Sequence, residues 1–221
     1  MNAGLRALYA LSLGCVAVGL GFTVLQIPPP DGDLPALVVQ HLAASGVEHP
    51  VTAVLLNYRS YDTLLEMVVL LLAVLGAWGL SDSDDETALP AAPIVLDQLV
   101  RLLVPVLILV AAYLLWVGAY SPGGAFQAGA VLAGAGVLLS LLDPTWRGAG
   151  MLRAIELMLL PGVVVFVLIG ALGMAVHGRF LEYPTDIAGT LILCIEGSAA
   201  LSIAATLQTL FAGTARVGGT L

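Results

Sequence analysis

Ser121-Pro122-Gly123-Gly124-Ala125-Phe126 separates two long apolar segments, Ile94 to Ala119 and Phe126 to Leu142, and its reading decides the fold. Between Arg101 and Asp143 the chain carries no charged residue. At about 1.5 Å per residue the first segment can cross a hydrocarbon core about 30 Å thick, and the second is about the shortest that can. The stretch therefore predicts a transmembrane hairpin with a tight turn. Proline fixes its own φ and has no backbone donor, whereas glycine accepts positive φ, so Pro122-Gly123-Gly124 can reverse the chain in few residues. Any membrane hairpin needs a turn, so the motif alone assigns no function. In the helix after it, Gly129 and Ala133, with Ala130 and Gly134, set small residues four apart, a spacing that lets another helix approach closely. The hairpin is expected to pack inside a larger protein assembly.

The rest of the chain agrees with a membrane setting. Hydrophobic residues make up 60% of the 221 residues and charged residues 10%, and the mean hydropathy is +1.04. These values lie outside the soluble globular range. The fold class is all-α, a polytopic membrane protein with about six transmembrane helices: Leu5 to Ile27, Asp62 to Leu80, Ile94 to Ala119, Phe126 to Leu142, Leu152 to Val176 and Asp186 to Leu210. The first span is too long for a signal-peptide core, and Gln26-Ile27-Pro28-Pro29-Pro30 offers no small-residue cleavage site, so it reads as a permanent anchor. All seven basic residues are arginine. With both termini cytoplasmic, Arg6, Arg101, Arg147, Arg153 and Arg216 lie inside and Arg59 and Arg179 outside, as the positive-inside rule requires. The expected location is the inner (plasma) membrane, with the lipid bilayer as surroundings.

Several classes are disfavoured. A net charge of -8 without any lysine speaks against nucleic-acid binding. Cys15 and Cys194 have no partner at short spacing, and His41 and His49 lack the acids or thiols that would complete a coordination set, so neither a metal, a disulfide nor a cofactor is expected. No nucleophile, base and orienting group recur at usable spacing, which argues against an enzyme. No internal inverted repeat marks a self-sufficient transporter.

Between the first two spans, Leu34, Leu37, Val38 and Leu42 recur at helical spacing behind Asp33, predicting a short interfacial helix with an N-cap. Further on, Arg59, Asp62 and Glu66 share one face if a helix runs through them. Two readings stay open there. The acids either complement the dipole of a first helical turn, or form a coupled pair beside an arginine. Asp97 and Arg101, at i,i+4, read as an interfacial ion pair. Pro105 should kink the third span. Trp146 and Arg147, in Asp143-Pro144-Thr145-Trp146-Arg147-Gly148, read as headgroup anchors. Glu156, three residues after Arg153, is either a shallow pair partner or part of a path. Glu196 lies well inside the last span, where a charged carboxylate costs about 2.5 to 3.5 kcal/mol on insertion scales. Gly197, Ser198 and Ser202 surround it with small or polar groups, so it should face protein or water.

Pro50-Val51-Thr52-Ala53-Val54-Leu55-Leu56-Asn57-Tyr58-Arg59-Ser60-Tyr61-Asp62-Thr63-Leu64-Leu65-Glu66 resembles the C-terminal part of the large A subunit of Mrp-type multisubunit cation/proton antiporters, and the equivalent small subunit of related membrane-bound hydrogenases. The chain departs from that pattern with His49 for Asn, Asn57 for Asp and Leu65 for Gly. Pro122-Gly123-Gly124-Ala125-Phe126 resembles the Pro-Gly-Gly-Gly-Phe turn of the B subunit of the same antiporters, with Ala125 in place of the third Gly, and Asp186 matches the Asp that opens the last helix in B-like subunits. The resemblance implies a two-span A-like segment, residues 1–89, fused to a four-span B-like domain, residues 90–221, with the join in the acidic linker Ser81 to Pro93. It also implies a non-catalytic subunit of a Na+ or other monovalent cation/proton antiporter, with other membrane subunits as partners. The alternatives are an antiporter-module subunit of an ion-pumping redox complex and a pure scaffold. Asp62, Glu66 and Glu196, with Glu156 and Asp186, are the candidate ion-path residues. A scaffold would instead depend on Gly129 and Gly134.

Overall fold

The computed structural model describes residues 3–27, 32–80, 94–142 and 149–211. The acidic linker, the Asp143 to Gly148 turn with its two anchors, and Arg216 lie outside the described residues. Among those described, six helical stretches are long and apolar enough to cross a membrane. The elements are α1 (Ala3–Leu25), α2 (Leu34–His41), α3 (Pro50–Ala53), α4 (Ser60–Leu80), α5 (Ile94–Val117), α6 (Ala125–Leu142), α7 (Ala149–Met158), α8 (Pro161–His177) and α9 (Ala188–Phe211). The chain is an all-α polytopic membrane protein.

Two units divide it, Met1–Leu37 and Val38–Leu221. The first holds α1, where the hydroxyls of Ser12 and Thr23 donate back to the carbonyls of Tyr9 and Gly19 at 2.9 Å. Such bonds satisfy a hydroxyl within its own helix in an apolar medium. It also holds the start of α2, where the Asp33 carboxylate accepts from the Ala36 amide at 3.2 Å, the N-cap expected from the sequence.

In the second unit α9 is the central helix: α4, α5, α6, α7 and α8 all pack on it. Its buried face is small and β-branched, with Ile192, Ile195, Ala199, Ala200 and Ile203 each no more than 2% exposed. Gly129 of α6 meets this face. A Cβ at Gly129 would stand 2.7 Å from the Ile203 Cβ and 2.9 Å from the Ala200 carbonyl oxygen. Gly134 has open space around its Cα. The two small-residue rows of α6 therefore differ: the row of Gly129 and Ala133 is spent on packing within this chain, and the row of Ala130 and Gly134 points outward.

The fifth span differs from its sequence expectation. It is not one helix but two, α7 and α8, broken just before Pro161, whose missing N–H and bulky ring open the i to i−4 ladder. Ser202 of α9 fills the opening. Its hydroxyl donates to the Met158 carbonyl at 3.0 Å and accepts from the Gly162 amide at 2.7 Å. Met158 and Gly162 are i and i+4, so the hydroxyl stands where the direct helical bond would be. Without water in the bilayer core, broken backbone groups need such a partner. By contrast, α5 runs unbroken through Pro105.

One end of this unit is built from three segments: residues 42–60, the α5–α6 turn and the α8–α9 loop. The amides of Glu48 and His49 both donate to the Ala119 carbonyl at 2.9 Å, and the Thr52 hydroxyl donates to the Gly118 carbonyl at 2.5 Å. Val47, Leu56, Leu181, Tyr183 and Ala188 form one core cluster with Phe166 and Ile195. Between α3 and α4 the chain makes a wider π turn, Val54–Tyr58, and breaks at Arg59 with φ −128° and ψ 34°. The condition for Arg59, Asp62 and Glu66 to share one helical face is thus not met, and α4 begins at Ser60. The sharp local geometry is held by the Thr63 hydroxyl on the Leu55 carbonyl at 2.7 Å and the Asn57 amide on the Ser45 carbonyl at 3.0 Å.

Candidate functional site

The α5–α6 turn and Glu196 form one site. After α5 the chain folds back on its own last turn, with the Gly124 amide donating to the Leu114 carbonyl at 2.9 Å. Gly124 has φ +104°, a conformation that residues with a Cβ rarely adopt. A Cβ there would also lie 2.6 Å from the Glu196 Oε1. Two independent reasons therefore keep this position a glycine. The next residue, Ala125, opens α6, and its main-chain N–H donates to the Glu196 carboxylate. The first amides of a helix have no partner within it and carry the positive end of its dipole, so they suit a carboxylate. Glu196 itself is 5% exposed. It stands eight residues into α9, about 12 Å along the helix. Among the described residues the compensation for its burial comes from backbone, not from an arginine.

Glu196 is also where two cavities meet. One, of about 500 Å³, is lined by Glu48, Trp116, Tyr120, Asp186 and Thr190 as well as Glu196. The other, of about 620 Å³, is lined by His49, Thr52, Glu66, Phe126 and Gln127 as well as Glu196. Glu196 is the residue common to both. No arginine lines either among the described residues.

The other candidates fall into two groups. Glu66 is exposed on α4 and faces the second cavity, and Asp186 is exposed in the loop before α9 and faces the first. The structure thus brings Glu66, Glu196 and Asp186 into one neighbourhood. Asp62 stays apart, in an ion pair with Arg59 at an exposed corner, and lines neither cavity. Glu156, half-buried on α7, lines neither, and no ion pair joins it to Arg153 among the described residues. The Arg101 Nε donates to both oxygens of Asp97 at 2.9 Å on the outer surface of α5. Pro122, Gly123 and Phe126 line the second cavity.

Two hydroxyls read from the sequence as neighbours of Glu196 are committed elsewhere. Ser198 donates to the Ile195 carbonyl of its own helix at 2.9 Å, and Ser202 bridges the break before α8. Residues not singled out take part instead. Glu48 lines the first cavity because its amide is tied to the turn. Its position directly before the His49-Pro50 pair was the available sign. Thr52 buttresses the turn from 66 residues away, a contact with no sequence signal.

A bundle of this kind, with spans packed on a central helix, defines a polytopic membrane protein with acidic groups facing open cavities. A family model described as "Domain related to MnhB subunit of Na+/H+ antiporter" matches residues 95–219, and the chain belongs to that family. A Methanocaldococcus jannaschii protein, the uncharacterized MJ1307, is 30% identical over 165 residues, which are 63% of this chain and 61% of that protein. The chain thus spans less than two thirds of that relative. Among solved structures, a chain of the membrane-bound sulfane sulfur reductase, an archaeal respiratory membrane complex, superposes with a TM-score of 0.66 at 24% identity, covering 93% of this chain and 96% of that one. A chain of the Mrp complex from Dietzia sp. DQ12-45-1b superposes with a TM-score of 0.65 at 21% identity, covering 100% of this chain and 27% of that one. At those identities the two superpositions speak for the fold.

Proposed function

We propose that this chain is a non-catalytic membrane subunit of a multisubunit cation/proton antiporter in the plasma membrane, and that Glu66, Glu196 and Asp186 line an ion path completed by helices of partner subunits. The observation that carries this reading is the convergence of three acids on two open cavities, within a chain of the antiporter-subunit family. Acids without internal cations, facing open cavities, are suited to hold a proton or a small cation at low dielectric. The arginine distribution supports an orientation with both termini in the cytoplasm. We keep the division into an A-like segment, 1–89, and a B-like domain, 90–221. The test is Glu66→Gln in the assembled complex, with cation/proton antiport followed in vesicles. Loss of coupled exchange with intact assembly is expected, and unchanged rate and coupling would remove Glu66 from the path.

A second reading is favoured by one observation: this chain superposes over 96% of a chain from a respiratory complex but over 27% of the Mrp chain. It is a module subunit of an ion-pumping redox complex. Purifying the complex in mild detergent and identifying the co-purifying chains separates the two, because redox subunits accompany it in one case and antiporter subunits alone in the other.

A further inference from the structure

We infer that Glu196 is a proton relay between the two cavities, parked on the N-terminus of α6 and able to serve either side. This rests on the ion-path reading above and adds the step that joins its two halves. Glu196 is the residue that lines both cavities, so its side chain stands at their shared wall. Its carboxylate is buried, held by the Ala125 amide, and fitted into the space that Gly124 leaves by having no side chain. A bond from a helix N-terminus is stronger to the anion than to the acid. The charged form is therefore parked, and the protonated form is held less tightly and is freer to turn.

The step is a simple transfer. A hydronium reaching one cavity gives a proton to Oε of Glu196, forming the O–H bond and leaving water. The same proton then leaves to a water in the other cavity and the carboxylate returns to Ala125. The titratable groups around it are Glu48, Tyr120 and Asp186 on one side and His49 and Glu66 on the other, from residues 48–49, the α5–α6 turn, α4 and the loop before α9. Gln127 of α6 and Trp116 of α5 are its uncharged polar neighbours.

Glu196→Gln decides between a relay and a merely structural cap. The glutamine has the same length and its carbonyl still accepts the Ala125 amide, so a cap survives the change, but it carries no proton. In the assembled complex in vesicles, antiport should fall by about a hundredfold or more, the size typical of a lost proton-transfer group, with subunit composition unchanged. If Glu66→Gln abolishes antiport and Glu196→Gln leaves it intact, the relay is overturned while the ion-path reading stands. If both variants transport normally, both fall. If Glu196→Gln fails to assemble, the wild-type complex is treated with dicyclohexylcarbodiimide and its peptides are weighed. An adduct on Glu196 that tracks loss of antiport supports the relay, and an unmodified Glu196 in an inactivated complex overturns it.

Discussion

Replacing Ser202 by alanine tests how this protein tolerates a broken helix in the membrane. The hydroxyl is 1% exposed and stands between the Met158 carbonyl and the Gly162 amide at 3.0 and 2.7 Å. Its loss removes two hydrogen bonds and leaves one buried acceptor and one buried donor. Each bond is worth about 1 kcal/mol net in soluble proteins, and interhelical bonds within membranes average about 0.6 kcal/mol. The expected cost is therefore about 1 to 2 kcal/mol. For a chain of this size that is a fall in melting temperature of about 2–8 °C. The assay is thermal melting of the purified subunit in mild detergent beside Ser198→Ala, whose hydroxyl bonds within its own helix and whose removal should move the midpoint little. Pro161→Ala supplies a second check. With the proline gone, the direct Met158 to Gly162 bond can close, so Ser202→Ala should cost less in that background. Equal midpoints for Ser202→Ala and wild type, or an undiminished cost beside Pro161→Ala, would refute the bridging role.

Further outcomes are expected at Gly129, Gly134 and Tyr183. Gly129→Ala should destabilise the isolated subunit by about 1–3 kcal/mol, because its Cβ overlaps the Ala200 carbonyl and Ile203 in a packed interface. Gly134→Ala should leave the subunit's melting unchanged or slightly raised, and Gly134→Leu should fold normally, so that any loss of co-purifying subunits reports an outer contact; a Gly129→Ala subunit as stable as wild type would discard the packing argument. The Tyr183 hydroxyl has no hydrogen-bond partner among the described residues, and burial raises its pKa well above the ordinary phenol value. The unfolded phenol ionises first, near pH 10, so the tyrosine's contribution to stability is complete below that pH and is lost as pH rises through and beyond it. Tyr183→Phe should therefore match or exceed wild type in melting temperature at pH 8 and lead it clearly at pH 11; equal loss in both proteins would show that Tyr183 does not govern the alkaline limit.

The residues themselves settled the number of spans, their approximate ends, the turn between α5 and α6, and the acids worth testing. Uninterrupted apolar runs and a Pro-Gly-Gly turn are local properties, and the bilayer converts them directly into helices and a reversal. The family resemblance was equally local, resting on Pro50 to Glu66 and Pro122 to Phe126, and its B-like part is met by the family match over residues 95–219. Periodicity alone ran the fifth span through Pro161 and left open whether a helix crosses Arg59. It had no means of knowing that Ser202 would take over a severed backbone bond, or that a π turn would end at Arg59. The distinction among the acids was likewise tertiary. Asp62, Glu66 and Glu156 look alike as carboxylates near arginines or in apolar helices. The Asp62 pair with Arg59 is local, at i,i+3, but only packing opened a cavity before Glu66 and set Glu196 against an amide 71 positions earlier in the chain. Spacing along a chain determines what a residue can be. Which other segment comes to rest against it is determined by burial summed over the whole bundle, and that sum is not written at any single position.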